Sequence, residues 1–499
     1  MISSVLIANR GEIAVRIIRG ARECGIRSIG VYSEADRLAL HVQQADEAYC
    51  IGPAASSESY LRGEALIELA KRVDAEAIHP GYGFLAERGD FARAVEDAGL
   101  VFVGPSAETI AAVGDKTEAR RRMAEAGVPI VPGLTEAVEN VRAAEEAAED
   151  IGFPVLLKAS AGGGGKGMRV VEDPDGLARA FEAASREALA AFGDGSVYLE
   201  RYLDRPRHVE IQLLGDAHGN VVHLAERECS IQRRHQKLVE EAPSPVLTPD
   251  ERSAMGETAV RAARAVDYRG AGTVEFLYQD GDFYFLEMNT RLQVEHPVTE
   301  LVTGIDLVEW QFRVASGEPL DFAQDDVGLT GHAIECRITS EDPLGGFLPS
   351  TGTVSHLEIP AGPGVRWDGG IVQGSEVSLH YDPLLAKLIV HAPNRPAAIQ
   401  RMARALDELV IAGVETSAPF HRRVMDEDDF RSGDLSIRYL EEHAELTDPV
   451  EDGDELAAVA VAAALLEDEH RRGRAPRIVQ GAGRPLSAWR ATTRSVGAS

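Results

Sequence analysis

Short apolar runs alternate with amphipathic stretches over the first hundred residues. Val5–Ala8, Ile29–Tyr32, Ala77–His79 and Val101–Val103 each read as a buried strand, and a helix with one apolar face begins near Glu12. Strands alternating with helices predict a parallel, doubly wound sheet whose ligands lie beyond the strand C-termini. From about Gly114 the pattern changes. The apolar strand Phe153–Leu157 runs into a glycine-rich stretch, and Gly272–Tyr278 and Phe283–Asn289 flank Gln279-Asp280-Gly281-Asp282, a hairpin signature. A third segment from Gly331 opens with β-like stretches, Ala333–Thr339, Thr353–Ile359 and Leu388–Val390, then turns helical over Ala397–Leu409. The acidic run Asp426–Asp429 reads as a solvated loop, and Glu451–Glu469 as an acidic, Ala-rich helix.

At 499 residues the chain is too long for one hydrophobic core. The expected architecture is therefore multidomain, α/β first and α+β after, ending in a tail with seven Arg and no acid from His470 on. That tail either lies loosely on its own acidic core or docks a partner. The net charge of −30 excludes nucleic acid and an anionic membrane as natural partners. It does not exclude an anionic substrate, because charges beyond about 8 Å are screened and the local lining decides. The longest apolar run, Leu456–Leu466, falls short of a membrane helix, and no signal-like start precedes Val5, which predicts a cytoplasmic protein. The four cysteines form no CxxC pair, against a zinc site or disulfide framework. Cys229 alone sits in a charged motif, either as a small buried residue or with a direct role.

Lysine is scarce: 6 of the 51 basic residues are Lys. Five of them, Lys116, Lys158, Lys166, Lys237 and Lys387, fall in the segments that carry candidate chemistry. Arg does not substitute for a compact ammonium, so Lys in an Arg-writing chain points to a chemical need.

Three patterns carry that chemistry. Lys158-Ala-Ser-Ala-Gly162-Gly163-Gly164-Gly165-Lys166-Gly167 follows an apolar strand, and such a run closes backbone N–H groups around phosphate oxygens. It lacks the GK[ST] of a P-loop; a plain linker is the other reading. In the hairpin, pairing Asp280 with Asp282 across Gly281 places Glu275 opposite Glu287, a like-charge pair that a divalent cation relieves, with Asn289 beside it. A register slip would separate them. In Arg291-Leu-Gln293-Val294-Glu295-His296-Pro297, an extended backbone puts Arg291, Gln293 and Glu295 on one side, suited to a planar oxyanion with a base beside it. Arg291 should then depress Glu295, unless the pair is merely structural. Glu226–Lys237 concentrates positive charge, as an anion site or a solvated face.

Taken with Ile7–Ala14, His79-Pro-Gly-Tyr82-Gly-Phe-Leu85, Gly114-Asp-Lys116, His208-Val-Glu-Ile-Gln212, Gln232–Lys237, Gly331–Arg337 and Tyr381-Asp382-Pro383, these motifs resemble, in order, the biotin carboxylase family of ATP-grasp enzymes. The resemblance runs to about residue 445. It implies a Rossmann-like N-terminal domain over 1–113, an ATP-grasp domain over 114–330 with a mobile lid at about 131–203, a β-rich C-terminal domain over 331–446 and an extension over 447–499. It implies that Lys116, Lys158, Glu200, His208, Gln232, His235 and Leu277 line the nucleotide site, with Gly162 to Gly167 over the phosphates. Glu275, Glu287 and Asn289 would hold Mg²⁺ or Mn²⁺. Lys237, Arg291, Gln293 and the Val294 backbone would hold bicarbonate, with Glu295 as general base. Arg337 would stabilise the enolate-like biotin, with Tyr82 and Asp382 near the biotin end.

The implied activity is ATP- and bicarbonate-dependent carboxylation of biotin through carboxyphosphate. It would be the first half-reaction of an acetyl-CoA, other acyl-CoA or pyruvate carboxylase, the first of these a step of fatty acid biosynthesis. No methionine is followed by Lys, so no Met-Lys-Met attachment site is present and biotin is expected on a separate biotin carboxyl carrier protein. A carboxyltransferase partner and a homodimer are expected too, although the Arg19/Glu23 pair fits an interface and an ordinary helix surface equally. The rival readings are another ATP-grasp ligase, carbamoyl-phosphate-forming or amino-acid-joining, and a nucleotide-binding regulator without turnover. The ligase would share the flap and metal pair but not the Arg291–Glu295 segment joined to Arg337; against the regulator stands the complete set of candidate ligands.

Overall fold

Alternate side chains of the first strand feed two different cores. Val5 and Ile7 of Ser4–Ile7 pack with Ile13, Ile17 and Ile18 of the helix Gly11–Glu23. Leu6, between them, packs with Ile29 and Val31 of Arg27–Ser33 and with Leu66 and Leu69 of the helix Gly63–Arg72. A sheet apolar on both faces is the mark of a parallel, helix-covered layer. The computed structural model bears this out over the residues it describes, which are 1–134, 137–138, 140–159, 168–192, 195–449 and 461–466. Its five parallel strands run in the order Glu47–Gly52, Arg27–Ser33, Ser4–Ile7, Ala77–His79, Val101–Phe102. The strand order reverses at Ser4–Ile7 and Ala77–His79, and the loops that leave these strands carry Asn9 and Tyr82. Ligand crevices form at such switch points. The edge strand Glu47–Gly52 was not singled out from the sequence; it is only half-buried, with Cys50 exposed.

The second sheet is antiparallel and has eight strands. Its order is Asp282–Asn289, Gly270–Gln279, Arg207–Gly215, Val221–Arg233, Gln236–Ala242, His332–Thr339, Leu384–Ala392, Val365–Gly369. It is continuous across residue 331, through the ladder of Val239 with Cys336 and Glu241 with Ile334. Along Arg207–Gly215, Val209, Ile211 and Leu213 enter a core with Met255, Ala259 and Ala262 of the helix Pro249–Arg264. The intervening His208, Glu210 and Gln212 are buried as well, on the opposite face. That helix is fixed at its start by a capping box between Thr248 and Glu251.

A smaller sheet, Arg169–Val171, Val155–Ala159 and Val197–Arg201, carries the helices Val141–Ile151 and Pro174–Phe192 and has its own core around Val155, Leu157, Leu177 and Leu199. The segment before it bridges to each sheet in turn, Ile130 with Phe285 of the large one and Gly133 with Glu200 and Val138 with Val197 of the small one.

Two expectations change in the C-terminal part. Thr353–Ile359 is not one strand: Gly352–Thr353 pairs with Glu376–Val377, while His356–Glu358 pairs with Val410–Ala412. The acidic run at 426–429 is no open loop either. Glu427 caps the short helix Asp428–Ser432 by accepting from the N–H groups of Asp429 (3.0 Å) and Phe430 (2.7 Å), and acids in a first turn favour the helix dipole. The chain separates into Met1–Thr447 and Asp448–Ser499. Within the second unit residues 461–466 are helical and exposed, inside the helix expected over Glu451–Glu469. No helix among the described residues is long and apolar enough to cross a membrane.

Candidate active site

The hairpin Gly270–Gln279 and Asp282–Asn289 sets Glu275 directly opposite Glu287, but by a different route from the equal-sum pairing. The turn is the two-residue Asp280-Gly281, with φ 55° and 90°, so Gln279 pairs with Asp282. That register alone would put Glu275 opposite Leu286. A bulge at Leu286 slips the ladder by one residue and restores Glu275 to Glu287, and Val274 to Met288.

Facing this pair is a layer of buried charge on the polar side of the large sheet. Lys237 Nζ donates to Glu210 Oε2 (2.6 Å), Glu295 Oε1 (2.7 Å) and Glu275 Oε1 (2.9 Å). Arg227 is wholly buried, and each of its five N–H groups has an acceptor: Glu210 (2.5 Å), Gln212 (2.6 Å), Gln293 (2.6 Å), Thr299 (3.0 Å) and Thr273 (3.2 Å). Arg337 Nε donates to Glu240 Oε1 (2.6 Å), and its Nη2 to Glu295 Oε2 (2.9 Å). Gln232 donates to His208 Nδ1 (2.9 Å), and the Nε2 of the ring lies 3.0 Å from Glu275 Oε2. Burial would lower the Lys237 ammonium, but Glu210, then Glu275 and Glu295, hold it well above its ordinary range. Glu275 and Glu295 would rise on burial; Lys237 with His208, and Lys237 with Arg337 and Arg227, hold them well below 4.5. Burial drives Glu240 the other way, to about 7, against the pull of Arg337.

The segment after the hairpin departs from the extended reading. Only up to Gln293 does it stay open; Val294 and Glu295 turn into the helix His296–Thr303, where Glu295 is the residue before the first turn (φ −80°, ψ 8°). Arg291 therefore does not pair with Glu295. Its Nε lies 3.0 Å from Glu87, and its Nη2 donates to Asn289 Oδ1 (3.0 Å). The direction expected for Glu295 holds, but its cause is Lys237 and Arg337, strands away in sequence.

Between the large sheet and the small one lies a cleft of about 1570 Å³. Glu287, Asn289, Arg291, Gln293 and Val294 line it together with the Lys237–Glu275–Glu295 group and Arg337. At the small-sheet end Lys158 pairs with Glu200, and Arg120 approaches Glu200 at 3.6 Å. His208, Gln232, Leu277 and the exposed His235, on the positive-φ turn Arg234-His235, also face the cleft, as does Asp382. Tyr82 does not line it; its hydroxyl donates to Glu12. Lys116 starts the helix Lys116–Glu125. The glycine run Gly162, Gly163, Gly164, Gly165, Lys166 and Gly167 lies outside the described residues.

Glu210, Arg227 and Glu87 were not singled out from the sequence. The available signal was the alternation His208-Val-Glu210-Ile-Gln212, whose polar members are as buried as the apolar ones. For a metal, Glu275, Glu287 and Asn289 offer two carboxylates and an amide oxygen from adjacent strands, with Asn289 Nδ2 donating to Glu275 Oε1 at 2.8 Å. An all-oxygen set lining the cleft fits Mg²⁺ or Mn²⁺ rather than a soft ion.

Three family models match successive parts of the chain. They are the biotin carboxylase N-terminal domain over 1–110, the carbamoyl-phosphate synthase L chain ATP-binding domain over 115–323, and the biotin carboxylase C-terminal domain over 335–442. The biotin carboxylase of Haemophilus influenzae is 52% identical over 442 residues, 88% of this chain and 98% of that one. A pyruvate carboxylase subunit from Methanothermobacter thermautotrophicus is 53% identical over 443 residues, 89% of this chain and 90% of its own. Among solved structures, the biotin carboxylase domain dimer of Hydrogenobacter thermophilus 2-oxoglutarate carboxylase, in complex with MgADP, ADP and bicarbonate, matches with a TM-score of 0.83 and 50% identity. It covers 90% of this chain and all of that one.

Proposed function

The chain belongs to the biotin carboxylase family, whose members carboxylate biotin with ATP and bicarbonate, and we propose that the buried Lys237 cluster is where this chemistry is carried out. The observation that carries this reading is one ammonium shared by three carboxylates at the floor of a cleft, with Arg337 bridging on from Glu295. Bicarbonate would be held by Lys237, Arg291, the Gln293 amide and the Val294 N–H. Arg227 positions both Glu210 and Gln293 from behind.

Glu295 acts as the base. Resting between Lys237 and Arg337 it is a weak one, but an anion drawn to Lys237 shares that ammonium and loosens its hold on Glu295. As bicarbonate oxygen attacks the γ-phosphorus, its proton passes to Glu295 and ADP leaves. Carboxyphosphate then releases CO₂, and the phosphate takes the N1′ proton of biotin. Arg337 balances the charge on the biotin oxygen while N1′ attacks CO₂. Glu275, Glu287 and Asn289 would hold the Mg²⁺ that neutralises the nucleotide phosphates, and Lys158, Glu200, His208, Gln232, His235 and Leu277 would seat the nucleotide. Lys116 and the glycine run belong to the same assignment through the family resemblance.

The central family match taken alone would also suit a carbamoyl-phosphate-forming ligase. The flanking biotin carboxylase matches, and the Arg337–Glu295 contact built from the C-terminal segment, favour the biotin reaction. We further propose a division into 1–113, 114–330 with a lid at about 131–203, 331–446 and 447–499. We propose a homodimer in the cytoplasm, served by a separate biotin carrier protein and a carboxyltransferase, with an acyl-CoA or pyruvate as final acceptor.

ADP release with Mg²⁺ and ATP tests the reaction. It should require bicarbonate and rise on adding free biotin. Stimulation by an amine instead would assign the rival ligase, and tight ATP binding without turnover the regulator.

A further inference from the structure

Lys387 is among the few lysines of an Arg-writing chain, its side chain is fully buried, and the reaction above gives it no task. It sits on the strand Leu384–Ala392, opposite Arg337 on one neighbour and Asp368 on the other. Its Nζ donates to the Val294 carbonyl at 2.9 Å and stands 3.1 Å from Glu12 Oε2. Asp368 is farther, at 4.0 Å, and is already held by Arg366 through bonds of 3.0 and 2.7 Å.

Glu12, in the first turn of the helix Gly11–Glu23, is buried and accepts the Tyr82 hydroxyl on its other oxygen. It has little freedom to shift, because the Gly370 backbone lies so close that a Cβ there would come within 2.7 Å of the Glu12 nitrogen. The loop that carries Tyr82 is held from the same side, by Asn9 donating to the carbonyls of Pro80 and Tyr82 at 2.7 Å each. A continuous chain thus runs Tyr82, Glu12, Lys387, Val294. One end is the loop at the switch point of the parallel sheet; the other is the segment that carries Gln293 and Glu295.

Burying an ammonium and a carboxylate is costly, and an apolar pair would serve packing as well. A point cation suits a site with a single carbonyl and a single carboxylate oxygen, where the Arg fork would lack planar acceptors. Holding the Val294 carbonyl fixes the plane of the Val294–Glu295 peptide, and so the point from which Glu295 reaches Lys237 and Arg337.

We propose that Lys387 is a positioning residue that locks the Val294–Glu295 peptide to Glu12 and the Tyr82 loop, setting the bicarbonate end of the site against the biotin end. This rests on the bicarbonate assignment made above and on the place near biotin that the family resemblance implies for Tyr82. The test is steady-state kinetics of the full chain carrying Lys387→Met, Glu12→Gln, Tyr82→Phe, or either of the first two with the third. Each single change should raise the KM for bicarbonate about tenfold and cut the biotin-stimulated share of ADP release, while the KM for ATP stays within about twofold. The double variants should lose less than the product of the singles, because all act on one chain of contacts.

Wild-type turnover that lacks bicarbonate and biotin dependence would remove the site assignment itself and this proposal with it. If the wild type shows that dependence but bicarbonate KM and biotin stimulation per folded enzyme are unchanged in the variants, the positioning role alone is wrong. Should Lys387→Met fail to fold, Glu12→Gln, which keeps size and an acceptor for Tyr82, decides on the same criterion.

Discussion

Both large sheets bury both of their faces, yet they do opposite things with them. In the parallel sheet, Val5 and Ile7 enter one apolar core and Leu6 the other. In the antiparallel sheet, Val209, Ile211 and Leu213 enter an apolar core, while His208, Glu210 and Gln212 enter a layer of charge as inaccessible as the core. The first arrangement is scaffold. The second is costly in isolation, since buried charge repays its desolvation only when fully paired, and here the pairing is built around one face of a cleft. A sheet that buries polar side chains on one face is therefore where to look for chemistry.

Substitutions can break this contrast in measurable steps. The largest effect is expected from Lys237→Met. It removes the donor shared by Glu210, Glu275 and Glu295, and ADP release should fall by about 10²–10³. Arg227→Met comes next. It leaves Glu210 to Lys237 alone and Gln293 to Glu275 alone, and urea unfolding should show a loss of about 3–5 kcal/mol, with a lowered bicarbonate affinity. Leu6→Ala, in the scaffold sheet, should cost about 2–5 kcal/mol by the same unfolding measurement and leave the kinetic constants of the folded enzyme unchanged. An equal effect on bicarbonate KM would erase the distinction between the sheets.

The two regions should also differ in the sign of their pH dependence. His41, beneath the parallel sheet, is pushed by burial from 6.5 to about 4, and its Nε2 meets the Val31 carbonyl at 3.2 Å. Its folded value is depressed, so the stability it confers is complete above pH 6.5 and drains away as pH falls towards 4. Glu240, in the charged layer, is raised by burial from 4.5 to about 7. Its contribution is complete below pH 4.5 and is lost as pH rises through 7. Unfolding series of His41→Gln and Glu240→Gln should flatten the acid and the neutral limb respectively; the reverse pattern would show that the burial argument has the sign wrong.

What the sequence disclosed follows from how local each feature is. The hairpin carboxylates were legible because strand, turn and strand are contiguous, although the bulge at Leu286 that aligns them leaves no mark in an apolar–polar pattern. The parallel sheet was legible strand by strand except for its half-buried edge, Glu47–Gly52. The extended reading of Arg291–Glu295 failed because Val294 and Glu295 already turn into the next helix, whose start Pro297 marks. The partners of Glu295 lie on other strands, and no spacing rule reaches them. Lys387 stood out only through the rarity of lysine; its acceptor, the Val294 carbonyl, is 93 residues away.

Arg337 joins the C-terminal segment to Glu295 and is the residue on which biotin carboxylation in this cleft most directly depends. Label from bicarbonate should be followed into carboxybiotin alongside ADP release, for the wild type and for Arg337→Met. The prediction is that the wild type forms carboxybiotin, and that the variant keeps a slow bicarbonate-dependent release of ADP but neither labels biotin nor responds to it. A variant that still labels biotin at the wild-type rate, or a wild type that never labels it, would contradict the assignment of this cleft to biotin carboxylation.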